Sequence, residues 1–144
     1  MAVLRDNPYG EFNFLVDLGS GDTDGPEAGF QEVSGIGQEV TVVEYRNGND
    51  KENAVRKLPG LHKVPDVTLK RGVIGSLALY QWLTDGSART VRVHLQSEDR
   101  SAIVMSWRLV RARPVKHVSG PLNAKGTDVA MEELTLAYER LEIE

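Results

Sequence analysis

Alternation of apolar and polar residues is the pattern that most constrains this chain, because it predicts a fold built from short strands. The most regular run spans residues 103–109, and a second run spans residues 91–95. A period of two places the apolar side chains on one face of a strand. The polar turn at residues 97–100 separates the runs, so together they predict a β-hairpin. Pro114 is expected to end the second strand, and residues 114–128 are expected to form a loop.

Four more segments have strand patterns. Residues Phe12–Leu18 and Val67–Arg71 alternate, Phe30–Val33 form a short strand-like run, and Glu39–Tyr45 are rich in β-branched residues. Asn47-Gly48 is a dipeptide that favours tight turns, so it is expected to end the fourth of these segments.

Two polar stretches are predicted to be loops. Gly19–Gly29 is rich in glycine, aspartate and proline, which is typical of a surface loop. Residues 46–64 are also polar and form a long stretch for a loop between strands of a compact domain. Loops of that length are usually functional or disordered.

One segment changes to a helical period. Between Ile74 and Leu83 apolar residues recur at spacings of about three, which predicts an amphipathic helix over residues 74–85. Ser76 is a candidate cap at its start, and Gly86 is expected to end it. One helix among many strands predicts a β-rich α+β fold, and 144 residues fit a single domain spanning residues 1–144.

The C-terminal segment, residues 129–143, fits two structures. Its Ala, Glu, Leu and Met content slightly favours a helix. The same segment also alternates as a strand, although its apolar parity changes after Tyr138, as a β-bulge would allow. The residues alone therefore predict a helix here, with a bulged strand as the alternative.

No pattern in the sequence predicts an active site. The chain has no cysteine, which excludes a disulfide scaffold, a thiolate nucleophile and cysteine-based metal sites. The histidines, at positions 62, 94 and 117, lack a second ligand at metal-binding spacing. Gly120–Thr127 has its lysine and glycine in the wrong order for a phosphate-binding loop. We therefore expect no enzyme activity, no cofactor and no metal.

Two further patterns also lack the features that a binding or catalytic site requires. Gly35-Ile36-Gly37 lacks the third glycine of a dinucleotide site. The acidic pairs Glu98–Asp99 and Glu132–Glu133 are adjacent in sequence, whereas glycosidase chemistry needs carboxylates from different parts of a cleft. The basic residues are not interleaved with stacking aromatics, so nucleic-acid binding is not predicted either.

Charge is distributed unevenly along the chain. Residues 1–50 carry 2 basic and 10 acidic side chains, residues 51–120 carry 13 and 5, and residues 121–144 carry 2 and 6. Strands from the three segments could mix and average this charge. Alternatively, an acidic and a basic surface could meet across subunit contacts.

Several apolar residues lie opposite the main apolar stripes of their strands. They allow either a core with two apolar sides or burial against neighbouring subunits, and they are Val43, Tyr45, Val104, Val110, Leu141 and Ile143. The N-terminal residues lack the basic start and apolar core of a secretory signal, and no apolar run is long enough to span a membrane. We therefore expect synthesis and assembly in the cytoplasm.

A set of short motifs, in a fixed order, resembles the phage tail tube protein family, which includes the inner tube proteins of contractile injection systems. Each motif is short, but their order and spacing are specific, and they cover almost the whole chain. They are FLV at 14–16, GFQEVSG at 29–35, VEYRNG at 43–48, KLPG at 57–60, VTLKRGV at 67–73, LYQWL at 79–83, MSW at 105–107 and EELTL at 132–136.

The resemblance implies a β-sandwich or barrel-like fold of two sheets with one helix, and it makes residues 129–143 a strand. It also implies homohexameric rings that stack into a hollow inner tube, which a contractile sheath propels to deliver cargo. The implied partners are copies of the chain itself, a sheath protein, baseplate or spike proteins, tube-terminating proteins and protein cargo in the lumen. The particle would resemble a phage tail, with release from the cell and retention inside it as the two alternatives. The alternatives are a baseplate-proximal tube initiator of the same fold and, from another class, a soluble β-rich binding module.

Under this resemblance, charged residues that cluster around the 46–64 stretch become candidate subunit contacts. A long polar loop is suited to reach a neighbouring ring. The expected interface residues are Glu44, Tyr45, Arg46, Arg56, Lys57, Leu58, Pro59, Gly60, Lys70 and Arg71.

Overall fold

The computed structural model describes residues 2–21, 23, 25 and 28–144. Within these residues it contains nine strands and one helix. The elements are β1 (Phe14–Asp17), β2 (Glu32–Ser34), β3 (Glu39–Tyr45), β4 (Arg56–Lys63), β5 (Val67–Gly72), α1 (Ala78–Asp85), β6 (Arg89–Gln96), β7 (Ile103–Ser119), β8 (Met131–Ala137) and β9 (Arg140–Ile143).

Seven strands form one antiparallel sheet in the order β1-β6-β7-β8-β5-β2, and β9 also pairs with β7. Strand β7 is 17 residues long and belongs to both halves of this sheet. Its first half pairs with β6 and β9, and from Arg113 to Ser119 it pairs with β8. Arg111, at the change of partner, has a left-handed φ of 56°. The remaining strands, β3 and β4, pair as a separate two-stranded sheet.

The two halves of the large sheet share one hydrophobic core. Val16, Val91 and Leu109 come from the β1-β6-β7 half, and Leu69 and Leu134 come from the β5-β8 half. Helix α1 adds Leu79 and Trp82 to the same cluster. Burial of one shared core by two sheet halves and one helix confirms the β-rich α+β fold of two sheets.

Helix α1 is shorter than the periodicity predicted. It begins at Ala78 rather than at residue 74, because Gly75 has a left-handed φ of 79° that breaks a helical start. Ser76 Oγ accepts a hydrogen bond from the Ala78 amide at 3.2 Å. Gly86 ends the helix as predicted, with φ 72° and its amide bonded to the Trp82 carbonyl.

The prediction of a loop over residues 46–64 was wrong in its second half. Residues Arg56–Lys63 form β4, so only residues 46–55 connect the two strands. The strand was hidden because Pro59-Gly60 interrupts its pattern. Gly60 is required where it lies, since a Cβ there would come within 2.9 Å of the Thr41 carbonyl oxygen, next to a register shift in the pair.

Pro114 does not end the second strand of the predicted hairpin, because β7 continues to Ser119. The proline is accommodated at a register shift between Pro114 and Lys116, where the ladder is already irregular. The following connection therefore occupies residues 120–130 rather than 114–128.

The prediction of a C-terminal helix from residue propensity was also wrong, and the strands implied by the family resemblance are confirmed. Strand β8 lies between β7 and β5, and its buried and partly exposed residues alternate along its length. The change of parity occurs between β8 and β9, where the chain leaves one sheet half for the other. Tertiary pairing thus overrides a weak helical preference.

Part of the predicted Gly19–Gly29 loop, residues 22, 24, 26 and 27, lies outside the described residues. In the part of the chain that the structure describes, no helix has the length and apolar character needed to cross a membrane.

Candidate assembly surfaces

The β3–β4 hairpin, residues Glu39–Lys63, is here called the arm. All residues of both strands are exposed. The two strands pair with each other and with no other described strand. A two-stranded hairpin in water is at best marginally stable by itself. The arm therefore has the form of an element that a second molecule completes.

Apolar side chains occur on both faces of the arm. Val43 pairs with Leu58 across the strands, and Tyr45 lies on the same face; these side chains are 52%, 47% and 49% exposed. Val42 pairs with Pro59 on the opposite face, where Val42 is also exposed. Water contacts both apolar faces in the single chain, and apolar patches exposed in this way commonly mark interaction surfaces.

The segment that joins β3 to β4 is organised by Arg46. Its guanidinium donates to the carbonyl oxygens of Glu52 at 3.0 Å and Asp50 at 3.1 Å, and to Asn53 Oδ1 at 3.3 Å. Arg56 pairs with Asp50 at 2.9 Å. Arg46 was predicted to contact another subunit, but in the single chain its hydrogen bonds hold the tip of the arm together.

The predicted contact residues Lys70 and Arg71 lie on opposite faces of β5. The Lys70 ammonium is 3.2 Å from Glu32 and 3.5 Å from Glu133, on neighbouring strands of the outer face. Hydrogen bonding and attraction from Glu32 raise the pKa of Lys70. These pairs join acidic residues to a lysine of the basic segment, so the charge of different segments mixes within the sheet at this point.

Arg71 points to the interior, where it is 1% exposed. Its Nε donates to Glu132 Oε1 at 2.6 Å, and its guanidinium lies 5.5 Å from the ring centre of Phe30. His117 Nε2 is 3.1 Å from the other Glu132 oxygen. A side chain at this depth offers no surface to a neighbour, so any effect of Arg71 on assembly is indirect.

Burial would raise the pKa of the Glu132 carboxyl, but hydrogen bonds from Arg71 and His117 outweigh it and lower the pKa. Sequence reasoning missed this cluster and treated Glu132–Glu133 as one acidic pair. The alternation along β8 could have predicted that Glu132 is buried, because Glu132 lies on the same face as the buried Leu134 and Leu136, whereas Glu133 faces outward.

An open groove of about 940 Å³ lies between the edge strands β1 and β2; we call it the inter-sheet groove. Its floor is formed by Val93, Leu95 and Trp107 of β6 and β7, and Phe14 of β1 and Val33 of β2 line its sides. Phe12, also in its lining, is 66% exposed. The groove is thus an apolar opening of the core on the side where the two sheet halves do not join.

The N-terminal side of the groove is held in place by the β6–β7 turn. Glu98 is the centre of this contact, since its carboxylate pairs with Arg5 and accepts from the Gly10 amide at 3.3 Å. The hydrogen bond from Arg5 lowers the pKa of Glu98 to about 2. Asn13 donates from Nδ2 to the Glu98 carbonyl oxygen at 3.0 Å and accepts from Arg100 Nε at 3.1 Å. The residues around Phe12 are therefore anchored at several points.

Two more exposed apolar patches lie away from the arm. The first surrounds the start of α1, where Leu77 and Tyr80 are exposed. The second is the 120–130 connection, where Leu122 and Val129 are exposed beside an open depression.

Among the candidates for catalysis and metal binding, His117 and Glu132 meet at 3.1 Å, and the other candidates do not join them in the described residues. No group of three or more His, Cys, Asp or Glu side chains is arranged there to hold a metal ion. His94 bonds to Ser106 Oγ at 2.7 Å, and burial lowers its pKa. Asp99 bonds to Ser97 and Ser101 in the β6–β7 turn, which lowers the pKa of its carboxyl to about 2. Each of these groups thus has a local structural partner.

The T4-like virus tail tube protein gp19 family matches residues 10–142. The chain belongs to this family. The match covers both sheet halves, the arm and α1, and it confirms the resemblance seen in the sequence motifs. No curated protein matches the chain significantly.

Solved structures agree with the family assignment. A chain from the PVC sheath–tube complex of an extracellular contractile injection system, in the extended state, is 25% identical with a TM-score of 0.82, over 95% of this chain and 91% of that one. A chain from the tube-terminating cap of the anti-feeding prophage is 26% identical with a TM-score of 0.83, over 100% and 95%. Hcp1 from Flavobacterium johnsoniae shares the fold alone, at 11% identity and a TM-score of 0.57, over 90% and 93%.

These comparisons make the protein a tail tube protein of the contractile injection system family. Its exposed surfaces are therefore candidates for assembly contacts.

Proposed function

We propose that this protein forms the wall of the hollow inner tube of a contractile injection particle, as homohexameric rings that stack along one axis. The observation that carries the proposal is the arm, which exposes apolar side chains on both faces and has no partner strand outside itself in the described chain. Such an element gains stability when a neighbouring copy covers it.

The geometry of the contacts decides whether a ring or a fibre forms. The arm and the rest of the surface are different, so a contact between the arm of one copy and the body of the next is head-to-tail. Head-to-tail contacts close into rings when the rotation closes and extend as fibres when it does not. A tube needs contacts that close a ring and contacts that stack one ring on the next. An arm with two apolar faces can contribute one face to each type of contact.

The partners proposed beyond the tube are a sheath, a baseplate or spike, a terminating cap and protein cargo in the lumen. The supporting observation is that similar chains occur in a sheath–tube complex and in a tube-terminating cap. In this proposal sheath contraction drives the tube forward, and the chain has a structural role without catalysis.

Most of the predicted interface residues remain in the proposal. The contact residues of the arm are Glu44, Tyr45, Arg56, Lys57, Leu58, Pro59 and Gly60. Arg46 supports the arm tip, Lys70 contributes at the outer sheet face, and Arg71 acts through the fold.

Substitutions on the arm test the proposal. Val43→Asp and Leu58→Asp place a charge on one apolar face and should reduce the fraction of rings and tubes seen by negative-stain microscopy and light scattering. Ser87→Asp, at an exposed position in the link between α1 and β6, adds the same charge as a control. Normal assembly of both arm variants would contradict a role for this face.

A charge exchange provides a second test. Glu44 and Lys57 are directly opposite in the hairpin, so the double variant Glu44→Lys/Lys57→Glu keeps their pairing within the arm and reverses the charges that a neighbour meets. We expect weaker assembly with an unchanged fold by circular dichroism. Unchanged assembly would show that Glu44 and Lys57 do not contribute to the contact surface.

A baseplate-proximal tube initiator would have the same fold but a low copy number. Quantitative mass spectrometry of purified particles separates the two roles, because a main tube protein is present in many copies per particle.

A further inference from the structure

We propose that the inter-sheet groove receives the arm of a second copy of this chain, through the arm face that carries Val43, Tyr45 and Leu58. This inference rests on the proposed tube function and specifies one of its contacts. It joins two apolar surfaces of the single chain, the groove and the arm, that are both open to water.

The chain does not fill the groove with its own arm. Residues that line the groove come from the N-terminal segment, from β1, β2, β6 and β7, and from Gln31 and Ile36, and none comes from residues 39–63. Glu39, where the arm begins, follows Ile36 by three residues, so the arm starts beside the groove yet leaves it open. A neighbouring copy is therefore the source of an arm that could enter it.

The walls of the groove favour an extended occupant. Among the described strands, β1 pairs only with β6 and β2 pairs only with β5, so each has one edge without a partner strand. Both edge strands contribute to the groove lining. Exposed strand edges commonly accept an added strand through backbone hydrogen bonds. This makes the hairpin a better occupant than the irregular 120–130 connection.

The side chains of the two surfaces match in character. The groove presents Phe12, Phe14 and Trp107, and the arm face presents Tyr45, Val43 and Leu58. Aromatic residues on both sides gain from mutual packing beyond their buried area. The opposite arm face, with Val42 and Pro59, remains for another contact.

Charge supports the same pairing. Glu11 and Glu32 lie on the lining of the groove, where Glu32 also pairs with Lys70. Strand β4 contains Arg56, Lys57 and Lys63 and no acidic residue, whereas β3 contributes Glu39 and Glu44. Arg56, which also pairs with Asp50, shares the arm face of Tyr45, its cross-strand partner. Oppositely charged surfaces improve the register of a contact and disfavour wrong pairings.

The absence of cysteine allows a direct test by disulfide formation between copies. One preparation carries Phe12→Cys and another carries Val43→Cys; the two are mixed, assembled and oxidised. Because each chain has a single cysteine, a mixed dimer on a non-reducing gel reports a contact between copies. Val42→Cys is the matched control, since Val42 is adjacent in sequence but on the other arm face.

We expect several-fold more mixed dimer with Val43→Cys than with Val42→Cys, and none from unassembled protein. Equal yields, or no dimer from intact tubes, would overturn the docking mode while leaving the tube function in place. A mixed dimer between Phe12→Cys and Leu122→Cys in place of the arm pair would identify the 120–130 connection as the occupant. Failure of the unmodified chain to form rings would instead contradict the tube function itself.

A second pair, Val33→Cys with Leu58→Cys, repeats the test from the other wall and the other strand. It keeps the test decisive if Phe12→Cys disturbs assembly. A mixed dimer supports the proposal, and its absence from intact tubes opposes it.

Discussion

Arg71 and Glu132 face each other across β5 and β8, with Arg71 Nε 2.6 Å from Glu132 Oε1 and both side chains buried. Their contact joins two neighbouring strands through residues that are 61 positions apart in sequence. His117 on β7 approaches the second carboxylate oxygen, so one carboxylate links three adjacent strands.

Removal of one member of this pair should cost more than removal of both. Arg71→Met leaves Glu132 with an unbalanced buried charge, and breaking a buried pair in this way typically costs about 3–5 kcal/mol. Arg71→Met/Glu132→Leu removes both charges and should recover much of that loss. Urea unfolding of assembly-deficient protein at one fixed concentration measures the difference, because assembly alters apparent stability. A double variant less stable than Arg71→Met would contradict this account.

Acid should weaken the same cluster. The folded-state pKa of Glu132 is lowered from 4.5, so its contribution to stability is complete above that value and is lost as pH falls through the lower folded pKa. We expect the unfolding free energy to fall below about pH 4.5, and to fall less steeply in Glu132→Gln. Urea midpoints between about pH 3 and pH 7, a range that includes carboxylate titration and the plateau above it, provide the measurement. An identical pH slope in the variant would refute the role of Glu132, and Glu133→Gln on the outer face is the control.

Helix α1 should be stabilised by its inner face. Leu79→Ala removes a buried side chain from the shared core and should cost about 2–5 kcal/mol. Tyr80→Ala, at the next and exposed position, should cost far less. Chemical denaturation of the two variants compares them, and equal losses would show that α1 does not depend on this packing.

Two glycines with left-handed backbones should respond differently to alanine. Gly35 has φ 92°, and a Cβ there would overlap the Asp66 carbonyl oxygen. Gly86 has φ 72° but has open space around it. Gly86→Ala should therefore cost about 1–2 kcal/mol from backbone strain alone, and Gly35→Ala should cost more. Thermal unfolding midpoints test this order, and a smaller loss at Gly35 would contradict the close approach to Asp66.

Strands with one face buried in the core could be predicted from the sequence. Strand β5 and the hairpin of β6 and β7 have one face against the core, so their alternation is regular and indicates strands correctly. Gly86 was predicted as the helix end for a local reason as well, since it adopts the left-handed conformation that glycine tolerates.

Features that depend on distant or missing partners could not be predicted in this way. Strand β4 has no buried face in the single chain, so its residues do not alternate between apolar and polar. The sequence Leu58-Pro59-Gly60 therefore predicted a loop. Strand β8 has helix-forming residues and becomes a strand because β5 and β7 flank it. The partners of Arg71 and the inter-sheet groove arise from contacts between segments far apart in sequence. The periodicity of residues along one segment gives no information about such contacts.

The central claim is that this chain assembles through its own surfaces into rings and tubes. Negative-stain electron microscopy of the purified protein at high concentration tests it most directly, with size-exclusion chromatography on the same sample. The account predicts six-fold rings with a central channel, alone or stacked into tubes. A stable monomer at all concentrations, with the fold intact, would contradict it.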